Sequence, residues 1–461
     1  MRLFLALVTT FAASSALSLA QGEEPPPNFI LIYCDDLGYG DVGCFGSEKH
    51  RTPRIDSLAT EGMRLTSFYS TSGVCTPSRS SLMTGCYPRR VNMHQSAQGE
   101  WVLFPVARKG LNPGEITVAE VLRSKGYTTA CVGKWHLGDQ PPFLPTRQGF
   151  QSYLGIPYSN DMGARQRKKN PPLPLMRDER VIDAPVKQDT LTKRYTDEAI
   201  RFITENRERP FFLYLPHTFP HLPLYASESF LGKSANGRYG DSVEEIDWST
   251  GRILDKLTEL KLDRRTVVMF ASDNGAASRA GGSNAPLRGH KGSTWEGGMR
   301  VPCIVRWPGV VPAGVECDAV TSTIDVLPTF AAISGAQAPT DRVIDGKDLR
   351  PLLRGDSGAV SPHDAFFYYF KDQLQAVRHG RWKLHLARTE KKKELPVRLY
   401  DLDRDIAEST DVAAAHPDVV ARIQALAESC RGDLGDRGLR GAHQRPAGIM
   451  EDPGQLTLLG R

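Results

Sequence analysis

Two acidic pairs are the first places where this 461-residue chain could do chemistry: Asp35-Asp36, in Asp-Asp-Leu-Gly, and Asp273-Asn274, in Ser-Asp-Asn-Gly. Three carboxylates and an amide carbonyl are hard oxygen donors, the set that suits Ca2+ or Mg2+ and not a thiolate-seeking metal. Either tetrapeptide alone reads equally well as a turn, because Asp, Asn and Gly favour turns. Position joins them, since each pair directly follows a short apolar run. So do Gly133-Lys134-Trp135-His136 and the pair His217 and His221. A fifth stretch is Cys75-Thr76-Pro77-Ser78-Arg79. Pro two residues after Cys suits the first turn of a helix, which puts Cys75 in the positive field of a helix N-terminus with Arg79 one turn along. Taken alone, the stretch is either an activated cysteine or a buried or disulfide-bonded one.

The elements that must position these residues follow from periodicity. Apolar runs at 29–34, 128–132, 211–215, 266–271 and 303–307 read as strands. Amphipathic stretches at 117–124, 192–206 and 242–260 read as helices, the last with Ser242 and Glu245 spaced as a capping box. Strands alternating with helices predict an α/β fold, a large, mostly parallel central sheet flanked by helices on both faces. In such sheets ligands bind beyond the carboxyl ends of the strands, which is where the candidate residues fall. Past residue 355 the pattern changes to short strand-like runs at 366–370, 374–377, 382–386 and 398–402, then a helix started by Pro417. That predicts a smaller C-terminal antiparallel sheet with one helix, followed by an irregular tail at 431–461. The expected division is 1–20 as a signal peptide, 21–355 as a catalytic domain and 356–461 as the C-terminal domain.

The signal peptide is read from Arg2, the apolar run after it and Ser18-Leu19-Ala20, small residues at both positions a signal peptidase reads. Export permits disulfides, yet the 8 Cys are scattered and form no framework. No Asn-x-Ser/Thr occurs, which favours a bacterial periplasmic or extracellular address over a lysosomal one. No later run reaches the length of a membrane span, so no stable membrane insertion is expected. Lys plus Arg number 58 against 53 Asp plus Glu, and no basic block marks a nucleic-acid partner.

Taken together the motifs resemble the type I, formylglycine-dependent sulfatases of the alkaline-phosphatase superfamily, with most likeness to the arylsulfatase A and N-acetylgalactosamine-6-sulfatase branch. Cys75 to Arg79 matches C-x-P-x-R, and Leu82 to Gly85 matches the L-x-T-G that follows it. Asp35-Asp36-Leu37-Gly38, Thr52-Pro53-Arg54, Gly133 to Gly138, His221-Leu222-Pro223, Asp273-Asn274-Gly275, Lys291-Gly292 and Glu296-Gly297-Gly298 appear in family order. Leu399-Tyr400-Asp401-Leu402 resembles a C-terminal-domain element of the family.

The resemblance implies that a formylglycine-generating or anaerobic sulfatase-maturating enzyme oxidises Cys75 to formylglycine, whose hydrate attacks the sulfur of a sulfate ester. It implies Ca2+, in preference to Mg2+, on Asp35, Asp36, Asp273, Asn274 and residue 75. Arg79, Lys134 and Lys291 would supply positive charge, and His136 the base that restores the aldehyde. His221 and Lys291 would meet the ester oxygen and Ser159 the sulfate; His217, outside the His-x-Pro context, reads instead as a supporting or substrate-rim residue. The implied partner is a sulfated sugar or glycan. Two other readings compete: a phosphodiester or phosphonate monoester hydrolase on the same scaffold, and a non-catalytic sulfated-glycan-binding protein.

Overall fold

A computed structural model describes residues 26–390 and 392–458; the expected signal segment, 1–20, lies outside the described residues. The central strand, β1 (Asn28–Cys34), is buried along its whole length. Its run of apolar residues has the composition of a parallel strand covered on both faces. Phe29, Leu31 and Tyr33 enter one core, and Ile30, Ile32 and Cys34 the other.

The remaining strands of the main sheet are β2 (Met63–Leu65), β3 (Thr128–Val132), β4 (Ser152–Gly155), β5 (Leu175–Arg177), β6 (Arg180–Asp183), β7 (Phe211–Pro216), β8 (Thr266–Ser272), β9 (Cys303–Arg306) and β10 (Val315–Cys317). They form one 10-stranded sheet in the order β10-β2-β9-β8-β1-β7-β3-β4-β5-β6. The centre, β8-β1-β7-β3-β4, is parallel. The flanks differ: β9 runs antiparallel to β8, and β5 and β6 are antiparallel to their neighbours. The sheet is therefore mixed, with a parallel centre.

One face is covered by α2 (Cys75–Thr84), α3 (Val118–Arg123) and α6 (Val326–Ser334), the other by α1 (Pro53–Thr60), α4 (Leu191–Glu205) and α5 (Gly237–Glu259). The expected capping box at Ser242 and Glu245 is overturned, because α5 begins at Gly237. Ser242 lies inside the helix, where its hydroxyl donates to Tyr239 O at 2.8 Å. Glu245 Oε2 instead accepts the Ser227 N–H at 2.9 Å. The local pattern fits a cap, but the first turn is held by tertiary contacts, among them the buried Tyr239.

The C-terminal sheet has four antiparallel strands, β11 (Phe366–Phe370), β12 (Gln373–His379), β13 (Trp382–His385) and β14 (Arg398–Asp401). α7 (Pro417–Leu434) packs on it through Ile423, Ala427 and Leu434. The tail is more ordered than expected. Gly435–Asp436 and Leu439–Arg440 form a short hairpin, and Gly448–Ile449 pairs with Lys109–Gly110 of the N-terminal region. No helix among the described residues is long and apolar enough to cross a membrane.

Candidate active site

The site lies where the parallel strands end. β1 delivers Asp35 and Asp36, β3 delivers Lys134 and His136, β7 delivers His217 and His221, and β8 delivers Asp273 and Asn274. α2 brings in Cys75 as its first residue and Arg79 one turn later. Two of these residues hold left-handed backbone conformations that non-glycine residues rarely adopt: Asp36 at φ 65° and His136 at φ 64°. Gly133, at φ 138°, lets β3 turn into the site, because a Cβ there would stand 1.9 Å from Pro216 O.

The polar groups are buried and interlocked. Lys134 Nζ donates to Asp35 Oδ2 at 2.5 Å and lies 3.3 Å from Ser159 Oγ. Arg79 donates through Nε and Nη2 to Asp273 Oδ2, at 3.0 and 2.8 Å, and through Nη1 to Lys134 O at 2.9 Å. Lys291 Nζ reaches Asp36 at 2.7–2.8 Å. Asn274 Nδ2 donates to Asp36 Oδ1 at 2.7 Å. One ligand atom each of Asp35, Cys75 and Asp273 lie within 4.8 Å of one another, as do those of Asp35, Asp36 and His221.

Two buried oxygens in this cluster, Asp35 Oδ1 and Asn274 Oδ1, accept no hydrogen bond among the described residues, although Arg79 Nη2 stands 3.5 Å from Asp35 Oδ1 as an ion pair. Buried acceptors are almost always paired, and a cation is the partner that hard oxygens of this kind take. The residues present therefore fit a divalent cation. Asp35, Asp36 and Asp273 would hold it, with Asn274 Oδ1 and the group at position 75. Three carboxylates already face the three cations Arg79, Lys134 and Lys291, so a bound dication would leave the cluster positive and suited to an anionic ester.

Burial opposes ionisation of Asp35, but Lys134, then His221 and Arg79, overcome it and hold the carboxyl well below the usual range. Asp273, desolvated and facing Asp35, is pushed up to about 7. Burial also lowers Lys291, yet Asp36 outweighs it and keeps the ammonium charged well above its ordinary range.

The two histidines are pre-set differently. His136 Nε2 donates to Leu103 O at 2.9 Å, which leaves Nδ1 as a buried acceptor with no partner among the described residues. Burial, aided by Lys134, holds this ring neutral. Thr76, next to Cys75, donates to the His136 carbonyl at 3.0 Å and so ties the two segments. His221 Nδ1 lies 3.1 Å from Asn160 Oδ1, whose amide nitrogen donates to Gln188 Oε1 and Pro223 O. That network assigns the proton to Nδ1 and turns Nε2 toward Asp36 Oδ2, 3.8 Å away. Asn160 is the site residue that the sequence did not reveal; the only hint was its place directly after Ser159. His217 is fully buried with neither ring nitrogen bonded to a described residue.

The cysteine reading changes. Cys75 is 2% exposed, and burial pushes its thiol up to about 11, against the pull of Lys134 and Lys291. As a plain thiol it is not activated, despite its place at the start of α2. All eight cysteines are free, so it is not held in a disulfide either.

Comparison with known proteins shows the family. The sulfatase family profile covers residues 27–336, and the profile named N-sulphoglucosamine sulphohydrolase, C-terminal, covers residues 290–430. Steryl-sulfatase of Mus musculus is 40% identical over 430 residues, spanning 77% of this chain and 69% of that protein. Arylsulfatase A of Homo sapiens is 38% identical over 463 residues, spanning 90% of each. The crystal structure of Ps i-CgsB with k-i-k-neocarrahexaose superposes with a TM-score of 0.77 at 30% identity, over 88% of this chain and 92% of that one. With its buried acidic cluster at the strand ends and a family profile spanning most of its length, the chain belongs to the sulfatases and is a sulfuric ester hydrolase.

Proposed function

We propose that this chain hydrolyses the sulfate ester of a sulfated sugar or glycan, using formylglycine made from Cys75 and Ca2+ held by Asp35, Asp36, Asp273 and Asn274. The observation that carries the reading is that buried Asp35 Oδ1 and Asn274 Oδ1 accept no hydrogen bond among the described residues, with Asp35 clustered with Asp273 and residue 75. Leaving such groups unpaired costs about 1–3 kcal/mol each, a penalty that cation binding removes. When present, the cation and the hydrated aldehyde supply a hydroxyl acidic enough to attack sulfur at ordinary pH.

The chain's own residues would do the rest. Arg79, Lys134 and Lys291 form a fixed positive wall for sulfate oxygens, already oriented by their carboxylate partners, so little reorganisation accompanies charge build-up. Ser159, against Lys134, lies where it could add a hydroxyl contact. Lys291, held charged by Asp36, and His221, oriented by Asn160, are the candidates to meet the leaving oxygen, and Lys291 carries the proton to give. The free Nδ1 of His136 is the acceptor suited to take a proton when the enzyme is regenerated. Because Cys75 is buried, the maturation enzyme would act before folding closes over it. Export to the periplasm or beyond would precede encounter with the glycan.

The test is turnover by enzyme co-expressed with its maturation enzyme. A panel of sulfated mono- and disaccharides is set beside 4-nitrophenyl sulfate and a phosphodiester, with the mass of the peptide containing residue 75. Sulfate release and a peptide lighter than its cysteine form are expected. Full turnover with an unmodified thiol, or preference for the phosphodiester, would refute the mechanism. Tight saccharide binding without turnover by matured enzyme would favour the binding-protein reading.

A further inference from the structure

A cavity of about 540 Å³ opens between the loop that carries Lys291 and the C-terminal sheet. Its lining includes Trp101, His290, Gln373, Arg388, Glu390 and Arg437. It starts one residue from the catalytic wall: His290 lines it, and Lys291 reaches Asp36. Trp101 lies over the same loop, since a Cβ on Gly292 would fall 2.5 Å from its ring. The indole is 40% exposed, unusually open for a Trp, and is braced edge-on by Phe370 at 5.2 Å between ring centroids.

Arg388 gives the cavity its chemistry. Its side chain is only 10% exposed, yet its Nε is buried with no hydrogen-bond partner among the described residues. The carboxylate of Glu390 stands 3.6 Å from that nitrogen, beyond hydrogen-bond distance, and is itself half exposed. Burial pulls the guanidinium below its ordinary basicity. Only Nε is buried; the Nη groups make no hydrogen bond among the described residues and are the part of the guanidinium left to meet a ligand, and carboxylate or sulfate oxygens are what such a fork binds. Arg437, 60% exposed and 3.8 Å from Asp372, adds a second guanidinium, so the lining carries two arginines against the one carboxylate of Glu390. An apolar ring beside two arginines and an amide is a surface for a sugar that carries negative charge.

We propose that this cavity is a second saccharide subsite, in which Arg388 binds a sulfate or carboxylate on the unit next to the one being desulfated while Trp101 packs against its ring. The proposal rests on the sulfated-glycan reading above and deepens it: the substrate is an oligosaccharide with at least two anionic units. Arg388 is a specificity residue and has no part in the chemical step.

The experiment measures kcat and KM of the matured wild type, Arg388→Ala and Arg388→Lys. The substrates are 4-nitrophenyl sulfate, a chondroitin 6-sulfate tetrasaccharide, its carboxyl-reduced form and an iota-carrageenan tetrasaccharide, with thermal unfolding of each variant as the folding control. For the tetrasaccharide that is turned over, Arg388→Ala raises KM about ten- to a hundredfold more than it does for the aryl sulfate, as expected for one lost charged hydrogen bond. Arg388→Lys recovers part of that loss, and kcat changes little. A substitution effect that disappears with carboxyl-reduced chondroitin identifies a carboxylate; one seen with carrageenan identifies a sulfate. Equal effects on aryl sulfate and tetrasaccharide, or none on either, overturn the subsite. So does aryl sulfate turnover with no tetrasaccharide hydrolysed. Failure to hydrolyse even 4-nitrophenyl sulfate counts against the proposed reaction itself, and the subsite falls with it.

Discussion

Gly133→Ala isolates the turn that aims β3 into the site. The added methyl would stand 1.9 Å from Pro216 O. Carbon to oxygen contacts close up only to about 3.3 Å, so something must move by about 1.4 Å. Neither side yields cheaply. The Gly133 N–H donates to Leu154 O, and the Lys134 N–H donates to the same Pro216 carbonyl, both at 2.8 Å. Relief therefore shifts either the segment carrying Lys134 and His136 or the end of β7 that leads to His217 and His221. Misplacing reacting groups by about 1 Å can cost about 100-fold in rate, which corresponds to roughly 2.7 kcal/mol of barrier. Backbone strain adds about 1–3 kcal/mol of lost stability. The assay is kcat on 4-nitrophenyl sulfate with thermal unfolding alongside. Gly126→Ala is the control, because Gly126 has a positive φ of 81° with nothing within 4 Å of its Cβ position. It should lose stability and keep kcat. If Gly133→Ala keeps wild-type kcat, or loses no more than Gly126→Ala, the turn does not position the site.

Lys383 is fully buried between Glu296 and Glu408, 2.9 Å from each, so Lys383→Met takes the shared ammonium from both, leaving Glu296 to Tyr69, Tyr368 and Arg300 and Glu408 to His385, and should cost about 3 kcal/mol in denaturant unfolding; an unchanged midpoint would contradict the pairing. Exhaustive chelation should abolish sulfatase activity and lower the unfolding temperature, with Ca2+ restoring both, whereas full activity in chelator would exclude the cation. His136→Ala should release up to one equivalent of alcohol in a burst and then turn over about 10²–10⁴-fold more slowly; steady turnover without a burst would remove its role as base. Burial pushes His94 down to about 3 and His385 down to about 4, so both are neutral when folded and take up a proton on unfolding. Their stabilisation is complete above the unfolded value of about 6.5 and is lost as pH falls, by about 1.4 kcal/mol each at about pH 5.5. Thermal unfolding followed from neutral pH downward should show that slope, and His94→Gln should remove part of it; a slope identical to wild type would refute the assignment.

The sequence was most informative where local pattern and burial agree. β3 and β11 begin and end where periodicity puts them, because each is a short, mostly buried apolar run bounded by polar or turn residues. The acidic pairs, Lys134, His136 and His221 follow apolar runs, and a parallel sheet necessarily gathers the residues that follow its strands at one edge. Periodicity does not report which strand lies beside which, so the antiparallel turn of β9 and the pairing of the tail with Lys109–Gly110 came only from the folded chain. The same limit explains α5, whose extra first turn is held by contacts that no local cap records.

Chemistry divides along the same line. Residue types alone determined that hard oxygens and fixed positive charges would meet, since those types follow the strands. The tertiary structure decided the protonation and direction of each group: Asn160 orienting His221, Leu103 O leaving His136 Nδ1 free, and burial making Cys75 a poor thiolate. It also decided that Arg388, distant in sequence, lines a cavity near Lys291 with its Nε bonded to no described residue. Hydrogen-bond direction, desolvation and the pairing of charges depend on neighbours far apart along the chain, and only folding supplies them.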